Sequence, residues 1–163
     1  MIMEYKVIVD NTETMWYYNG KLHREDGPAI EQKNGRNEWW MNGLPHREDG
    51  PAIQFRMGKT HWYFAGRLHG QFGPSIACNG YEIWYRHGKL HREDGPAILH
   101  DDGTLEWYID GLLHRNDGPA VVYQNGTIEW YRHGKLHRED GPAIEYASGH
   151  KYWYVHGQKL TEW

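Results

Sequence analysis

A single cysteine in 163 residues excludes an internal disulfide, and such sparing use of Cys78 fits a reducing compartment. The opening segment, MIMEYKVIVDN, carries Glu4, Lys6 and Asp10 inside its apolar stretch, so it reads as neither a signal peptide nor a membrane span. A soluble, cytoplasmic protein is expected. Charge of one sign is also missing: 18 Lys and Arg are interleaved with 22 Asp and Glu, for a net charge of -4. That balance leaves no broad basic face for phosphate backbones and no polybasic anchor, which argues against nucleic acid and membrane as partners. No segment sustains a 3.6-residue apolar period, so essentially no helix is expected. The GxSxG, HExxH and glycine-rich phosphate-loop motifs are absent, and no motif surrounds Cys78.

What is present is repetition. The string HREDGPAI occurs at 23–30, 46–53, 91–98 and 137–144, returns as HRNDGPAV at 114–121, and is eroded to HGQFGPSI at 69–76. A glycine precedes each block, at Gly20, Gly43, Gly66, Gly88, Gly111 and Gly134, with Gly157 as a seventh; the step is 23 residues, except for 22 between Gly66 and Gly88. The missing residue lies in PSIACNG, a strand-and-turn segment. Four residues before each glycine stands a Trp (Trp16, Trp39, Trp62, Trp84, Trp107, Trp130, Trp153), followed by Tyr or, at position 40, Trp. A period of this length indicates stacked copies of one supersecondary unit. It also argues against catalysis, since a catalytic constellation is needed once.

Within one unit, residues 125–149, Asn125-Gly126 signals a two-residue hairpin between PAVVY and TIEWY. In TIEWY the alternation puts Ile128 and Trp130 on one face, Glu129 and Tyr131 on the other. RHGK then makes a second turn, and LHREDGP follows as a polar bend whose Pro cannot donate a ladder hydrogen bond. The fold class expected is all-β: an elongated antiparallel sheet, flat or curved, of tandem hairpin repeats of about 23 residues. One domain spans 1–163, with a cap strand and first half-unit at 1–19, repeats at 20–156 and a C-terminal cap at 157–163. The expected core is the Trp ladder with Leu22, Ile30, Leu68, Ile76, Leu90, Ile98, Val121, Leu136 and Ile144.

The frame Trp-Tyr-x-x-Gly-Lys-x-His, then a Gly, then an apolar strand ending in Asn-Gly, resembles the MORN repeat family, specifically its divergent HREDGPA variants associated with phage and giant-virus proteins. The resemblance covers nearly the whole chain; HGQFG at 69–73 is nearest the family's usual His-Gly-x-Gly form. It implies hairpin-repeat sheets that bind, dimerise or tether, and no enzymatic activity. Phospholipid contact, proposed for some members, does not carry over, because the Arg-Glu-Asp insert and the Pro depart from the family pattern.

The charged insert reads first as structural, with Arg24, Arg47, Arg92, Arg115 and Arg138 pairing with carboxylates of their own or the next bend. His23, Asp26, His46, Asp49, His91, Asp94, His114, Asp117, His137 and Asp140 are then bend residues. Equivalent His residues a repeat apart cannot converge on one metal, so neither metal nor other cofactor is expected. The functional signal is placed where periodicity fails: Gln71 and Phe72 in the eroded block, and Trp40 in place of Tyr, with Arg92 and Arg115 as charged contacts. These observations point to a non-enzymatic scaffold binding a protein partner, on the resemblance a viral or phage factor modulating or inhibiting a host component in the host cytoplasm. Two alternatives stand beside it: capture of a small anionic ligand between His/Arg bends, and self-association as a structural assembly unit.

Overall fold

A computed structural model describes residues 5–70 and 73–160, so Gln71 and Phe72 lie outside the described residues. The chain is all-β, built from antiparallel hairpins, and the described residues contain no helix and hence none able to cross a membrane. It divides into two compact units, 1–79 and 80–163.

In the first unit, strands Lys6–Val9, Glu13–Tyr18, Ile30–Gln32, Asn37–Glu38, Ile53–Gln54, Thr60–His61 and Ile76–Cys78 follow one another across a sheet without crossovers. In the second, Tyr81–Ile83, Ile98–Leu99, Leu105–Glu106, Val121–Val122, Ile128–Glu129, Ile144–Glu145 and Lys151–Tyr152 do the same. Every repeat therefore contributes one sheet hairpin. It then throws out a second, two-stranded hairpin, such as Tyr108–Ile109 with Leu112–Leu113 or Tyr131–Arg132 with Lys135–Leu136.

The two hairpins use different turns, and their sequences explain why. The outer hairpins turn on residue pairs with both φ positive, for example Asn42 (52°) with Gly43 (81°) and His133 (48°) with Gly134 (76°). Mirror-image turns of this kind match the right-handed twist of their strands, and Gly takes the second position without steric cost. The sheet hairpin at Asn125-Gly126 differs from the sequence expectation. Only Gly126 has positive φ (86°); its N–H donates to the Tyr123 carbonyl (3.0 Å), and Tyr123 N–H donates to that of Thr127 (2.9 Å). This is a three-residue loop ending in a left-handed glycine, and the Asn125 side chain caps it by accepting from Thr127 N–H (2.9 Å). The 22-residue step now has a local cause. In PSIACNG the sheet turn loses one residue and becomes a two-residue turn, with Asn79 (43°) and Gly80 (90°) both at positive φ.

The core differs from the expected Trp ladder. The Trp rings are half-buried and Trp153 is exposed; the fully enclosed column is the small residue after Pro, namely Ala29, Ala52, Ser75, Ala97, Ala120 and Ala143, each at 0% exposure. Ile53, Val121 and Ile144 beside them are buried, whereas Ile30, Ile76 and Ile98 are only partly covered. Each alanine carbonyl accepts from a Trp N–H (2.9 Å for Trp16 to Ala29, 2.7 Å for Trp130 to Ala143), which brings two backbones together where only a methyl fits. At the ends, Lys6–Val9 pairs with Glu13–Tyr18 as the first edge strand, and Leu160 N–H reaches the Trp153 carbonyl (2.9 Å), replacing the His that closes every earlier hairpin.

Enlarging the alanine column must therefore overpack it. Ala120→Leu is expected to lower stability by about 1–3 kcal/mol in urea unfolding, against less than about 0.5 kcal/mol for a change at the exposed Gln124.

Candidate functional site

The polar bends are built around one arginine each. Its guanidinium carbon lies 4.1 Å above the Trp ring of its own repeat in Arg24 over Trp16, Arg47 over Trp39 and Arg138 over Trp130, 3.9 Å in Arg92 over Trp84, and 4.2 Å in Arg115 over Trp107. Nε donates to the Asp two residues on, at 2.9 Å for Asp26, 2.8 Å for Asp49, 2.9 Å for Asp94 and Asp140, and 3.1 Å for Asp117. In four bends a terminal nitrogen donates to the Pro carbonyl, at 3.1 Å for Pro28, 3.3 Å for Pro96, 3.4 Å for Pro119 and 3.2 Å for Pro142. The opposite face of the guanidinium lies against the glycine before Pro: a Cβ there would come within 2.8 Å of the guanidinium carbon at Gly50 and Gly118, 2.9 Å at Gly95 and Gly141, and 3.0 Å at Gly27. None of these glycines has positive φ, so what excludes a side chain there is the sandwich itself. The Arg-x-Asp-Gly-Pro spacing is thus one device: a cation enclosed by an indole, a glycine, a carboxylate and a carbonyl.

The histidines stitch one repeat to the next. Nδ1 of His23 accepts from Asn42 N–H (3.1 Å), that of His46 from Ala65 (3.0 Å), His91 from Asp110 (3.1 Å), His114 from His133 (3.2 Å) and His137 from His156 (3.1 Å). Each donor is the first residue of the next outer turn, a backbone N–H that the turn leaves unpaired. An acceptor Nδ1 puts the proton on Nε2, which faces the Glu two residues on (3.9 Å to Glu25, 3.7 Å to Glu48, 3.3 Å to Glu93, 3.6 Å to Glu139) or Asn116 (3.2 Å); His91 differs in that its Nδ1 also lies 3.0 Å from the Asp110 carboxylate, to which a protonated Nδ1 donates instead.

These bonds locate every bend residue singled out in the sequence. Arg92 and Arg115, named as charged contacts, are tied into their own bends. They line a groove of about 890 Å³ between successive bends, together with Arg86, His91, Glu93 and Asp110, and Arg86 is itself held by Glu93 (2.8 Å). Trp40 donates its indole N–H to Glu38 (3.0 Å) and accepts from Arg24 N–H (3.1 Å) at its carbonyl. In the eroded bend, Gly70 stands where other bends have the guanidinium.

Sequence reasoning set Glu129 and Tyr131 on one face but gave that face no role and missed its extension into a row of tyrosines and glutamates on the second unit. The register Glu106↔Val121↔Glu129↔Ile144↔Tyr152 sets these residues side by side across five strands on one face. Tyr108 donates to Glu106 (2.8 Å) and Tyr131 to Glu129 (3.0 Å), as the alternation of TIEWY requires. Tyr146 stacks edge-on against Tyr152, with centroids 5.9 Å apart, and Tyr123 and Tyr146 keep 36% and 43% of their surface exposed. Burial first, then the neighbouring carboxylate, holds the Tyr108 and Tyr131 hydroxyls protonated far above the usual phenol range. Glu106 is paired with His100 (2.7 Å); among the described residues Glu129 has no cation. The signal for this face was the recurrence of Glu two residues before Tyr in TLEWY and TIEWY.

No protein-family model matches the chain, and no curated protein is similar to it in sequence.

Two outcomes test the bends. Gly95→Ala is expected to push the Arg92 guanidinium off Trp84 and lower stability by about 0.5–2 kcal/mol, and a double-mutant cycle with Arg92→Ala should be strongly non-additive, because the glycine acts through the guanidinium. The second concerns acid. Burial, then the His133 ring (centroids 4.4 Å apart) and Arg132 push the His114 imidazole below its usual pKa, opposed by Asn116, and protonating Nδ1 would also remove the acceptor for His133 N–H. Burial likewise lowers His61, helped by Lys59 and Arg36. The unfolded chain therefore binds more protons, so this contribution is complete above the unfolded pKa of about 6.5 and is lost as pH falls through the folded one. The urea midpoint should be lower at pH 5 than at pH 7.5, with the His114 ring titrating below its free value by NMR; titration at or above that value would overturn the assignment.

Proposed function

We propose that the chain is a non-enzymatic repeat scaffold that binds a protein partner over the tyrosine and glutamate face of residues 80–163. The observation that carries this is the exposure of Tyr123 and Tyr146 on a regular sheet face, where partly open phenol rings are held in register by backbone pairing. Such rings present large amphipathic area at little conformational cost, and a preordered strand ladder loses little further freedom on binding. Capture of a small anion in the groove between bends is the weaker reading, because Arg86, Arg92 and Arg115 there are each already paired with a carboxylate. The resemblance to the HREDGPA variants of MORN-type repeats extends the proposal to a viral or phage factor acting on a host component.

An affinity pull-down from host-type lysate, read by mass spectrometry, tests it. The native chain should retain one protein that a Tyr123→Ala/Tyr146→Ala variant of equal thermal stability loses. Retention by both would move the interface to another face, with Phe72→Ala as the next variant. Recovery of the chain alone would turn the reading to self-association through the exposed strand Lys6–Val9.

A further inference from the structure

The first unit contains its own example of how a cation docks on this sheet. Arg36 reaches Glu38 (2.8 Å) and lies 4.9 Å from the Phe55 ring centroid, while the Trp40 indole donates to the same carboxylate (3.0 Å). The four positions recur by period in the second unit. Glu129 replaces Glu38, Tyr131 replaces Trp40 and donates to the carboxylate in the same way (3.0 Å), and Tyr146 replaces Phe55. The position of Arg36, however, is Thr127, whose side chain is too short and carries no charge. Carboxylate, side-chain donor and ring are retained, and among the described residues the internal cation is absent.

From this juxtaposition we infer that Glu129, with Tyr123, Tyr131 and Tyr146, receives a lysine or arginine side chain of the partner, taking the place that Arg36 fills beside Glu38 and Phe55. The inference rests on the protein-binding reading and names the chemistry of that contact. A carboxylate beside ring faces attracts a cation by charge and by the ring quadrupole together. The flanking floor is Val121 and Ile144, both buried, so the carboxylate stands among apolar neighbours with limited solvent screening.

The repeat also sets a spacing. Glu106 lies two strands away in the same row and has Tyr108, Tyr123 and Thr104 in the corresponding positions, so a second cation would meet it about 9.6 Å away, in competition with His100. In a polyproline-II segment three residues advance about 9.3 Å and return to the same face. Cations three residues apart in such a segment therefore match the row, whereas adjacent cations point to different sides.

The test uses fluorescein-labelled peptides of repeated Lys-Pro-Pro and of repeated Glu-Pro-Pro, with fluorescence anisotropy at physiological salt. The lysine peptide should bind the native chain and the glutamate peptide should not. Glu129→Gln and Tyr146→Ala should each weaken lysine-peptide binding about five- to tenfold. Glu48→Gln, which removes the same charge from an exposed bend, should leave it unchanged. Thermal melts check folding, and Tyr146→Leu, which keeps apolar bulk without the ring and should weaken binding alike, serves if Tyr146→Ala unfolds. A third readout is Thr127→Arg, which restores the internal cation and should block the peptide; because Thr127 is buried and accepts from Ala147 N–H (3.2 Å), the same melts check that variant, with Thr127→Val as its control for the lost hydroxyl. No binding by the native chain, or equal weakening by Glu48→Gln, overturns the site. In either case a lysate partner still lost with Tyr123→Ala/Tyr146→Ala leaves the protein-binding reading standing, whereas no partner at all removes it.

Discussion

The arginine of each polar bend lies flat between an indole and a glycine, with a carboxylate on Nε and, in four bends, a proline carbonyl on a terminal nitrogen. The rest of the repeat follows from that enclosure. It covers one face of the Trp ring of its own repeat. It also fixes the path from the outer hairpin back to the alanine that starts the next sheet strand, and so sets the alanine methyl column at the close backbone approach. The cation brings its long alkyl stem and planar head onto the indole, adding to the apolar cover that each ring receives. The histidine then adds the one bond that each new outer turn lacks, and stacking becomes a nearest-neighbour property.

How much of this was legible depended on whether a residue's partner lay in its own unit. The period, the hairpins, the all-β class and the Glu129 and Tyr131 face could be read because alternation and glycine spacing are local. That Arg pairs with the carboxylates of its own bend was also within reach, two residues being a short loop. The Trp ladder as core was not right: hydrophobicity ranks Trp above Ala, but the closest backbone approach selects the smallest side chain, and only three-dimensional packing says where that approach occurs. The Asn125-Gly126 turn was assigned two residues because the dipeptide usually signals that; the additional residue before it makes the loop longer, and only in the 22-residue unit does the shorter turn form. The role of His was invisible, since its acceptor bond reaches 19 residues ahead.

This division also bears on where function can be written. The columns of Trp, Arg, Asp, Gly, Pro and Ala repeat because each is engaged by the next unit or by its own bend, and a change there costs stability without gaining a contact. The columns that vary lie in the sheet strands and their turns, and two of them flank the carboxylates: Arg36, Lys59, Tyr81, Thr104, Thr127 and His150 in one, and Gln32, Phe55, Cys78, His100, Tyr123 and Tyr146 in the other. Both sit at the sheet hairpins, outside the Trp, Arg and His columns that build the frame. Where the two columns supply a cation and a ring, as at Arg36 and Phe55, the carboxylate between them is neutralised within the chain. Where they supply Thr127 and Tyr146, the carboxylate of Glu129 has no cation among the described residues, whereas Glu106, between Thr104 and Tyr123, keeps His100 (2.7 Å). A scaffold whose frame is this repetitive can hold specificity only in such columns, and the same frame makes the local environment of Glu129 differ from that of Glu38 by the few side chains that decide whether a cation comes from inside or outside.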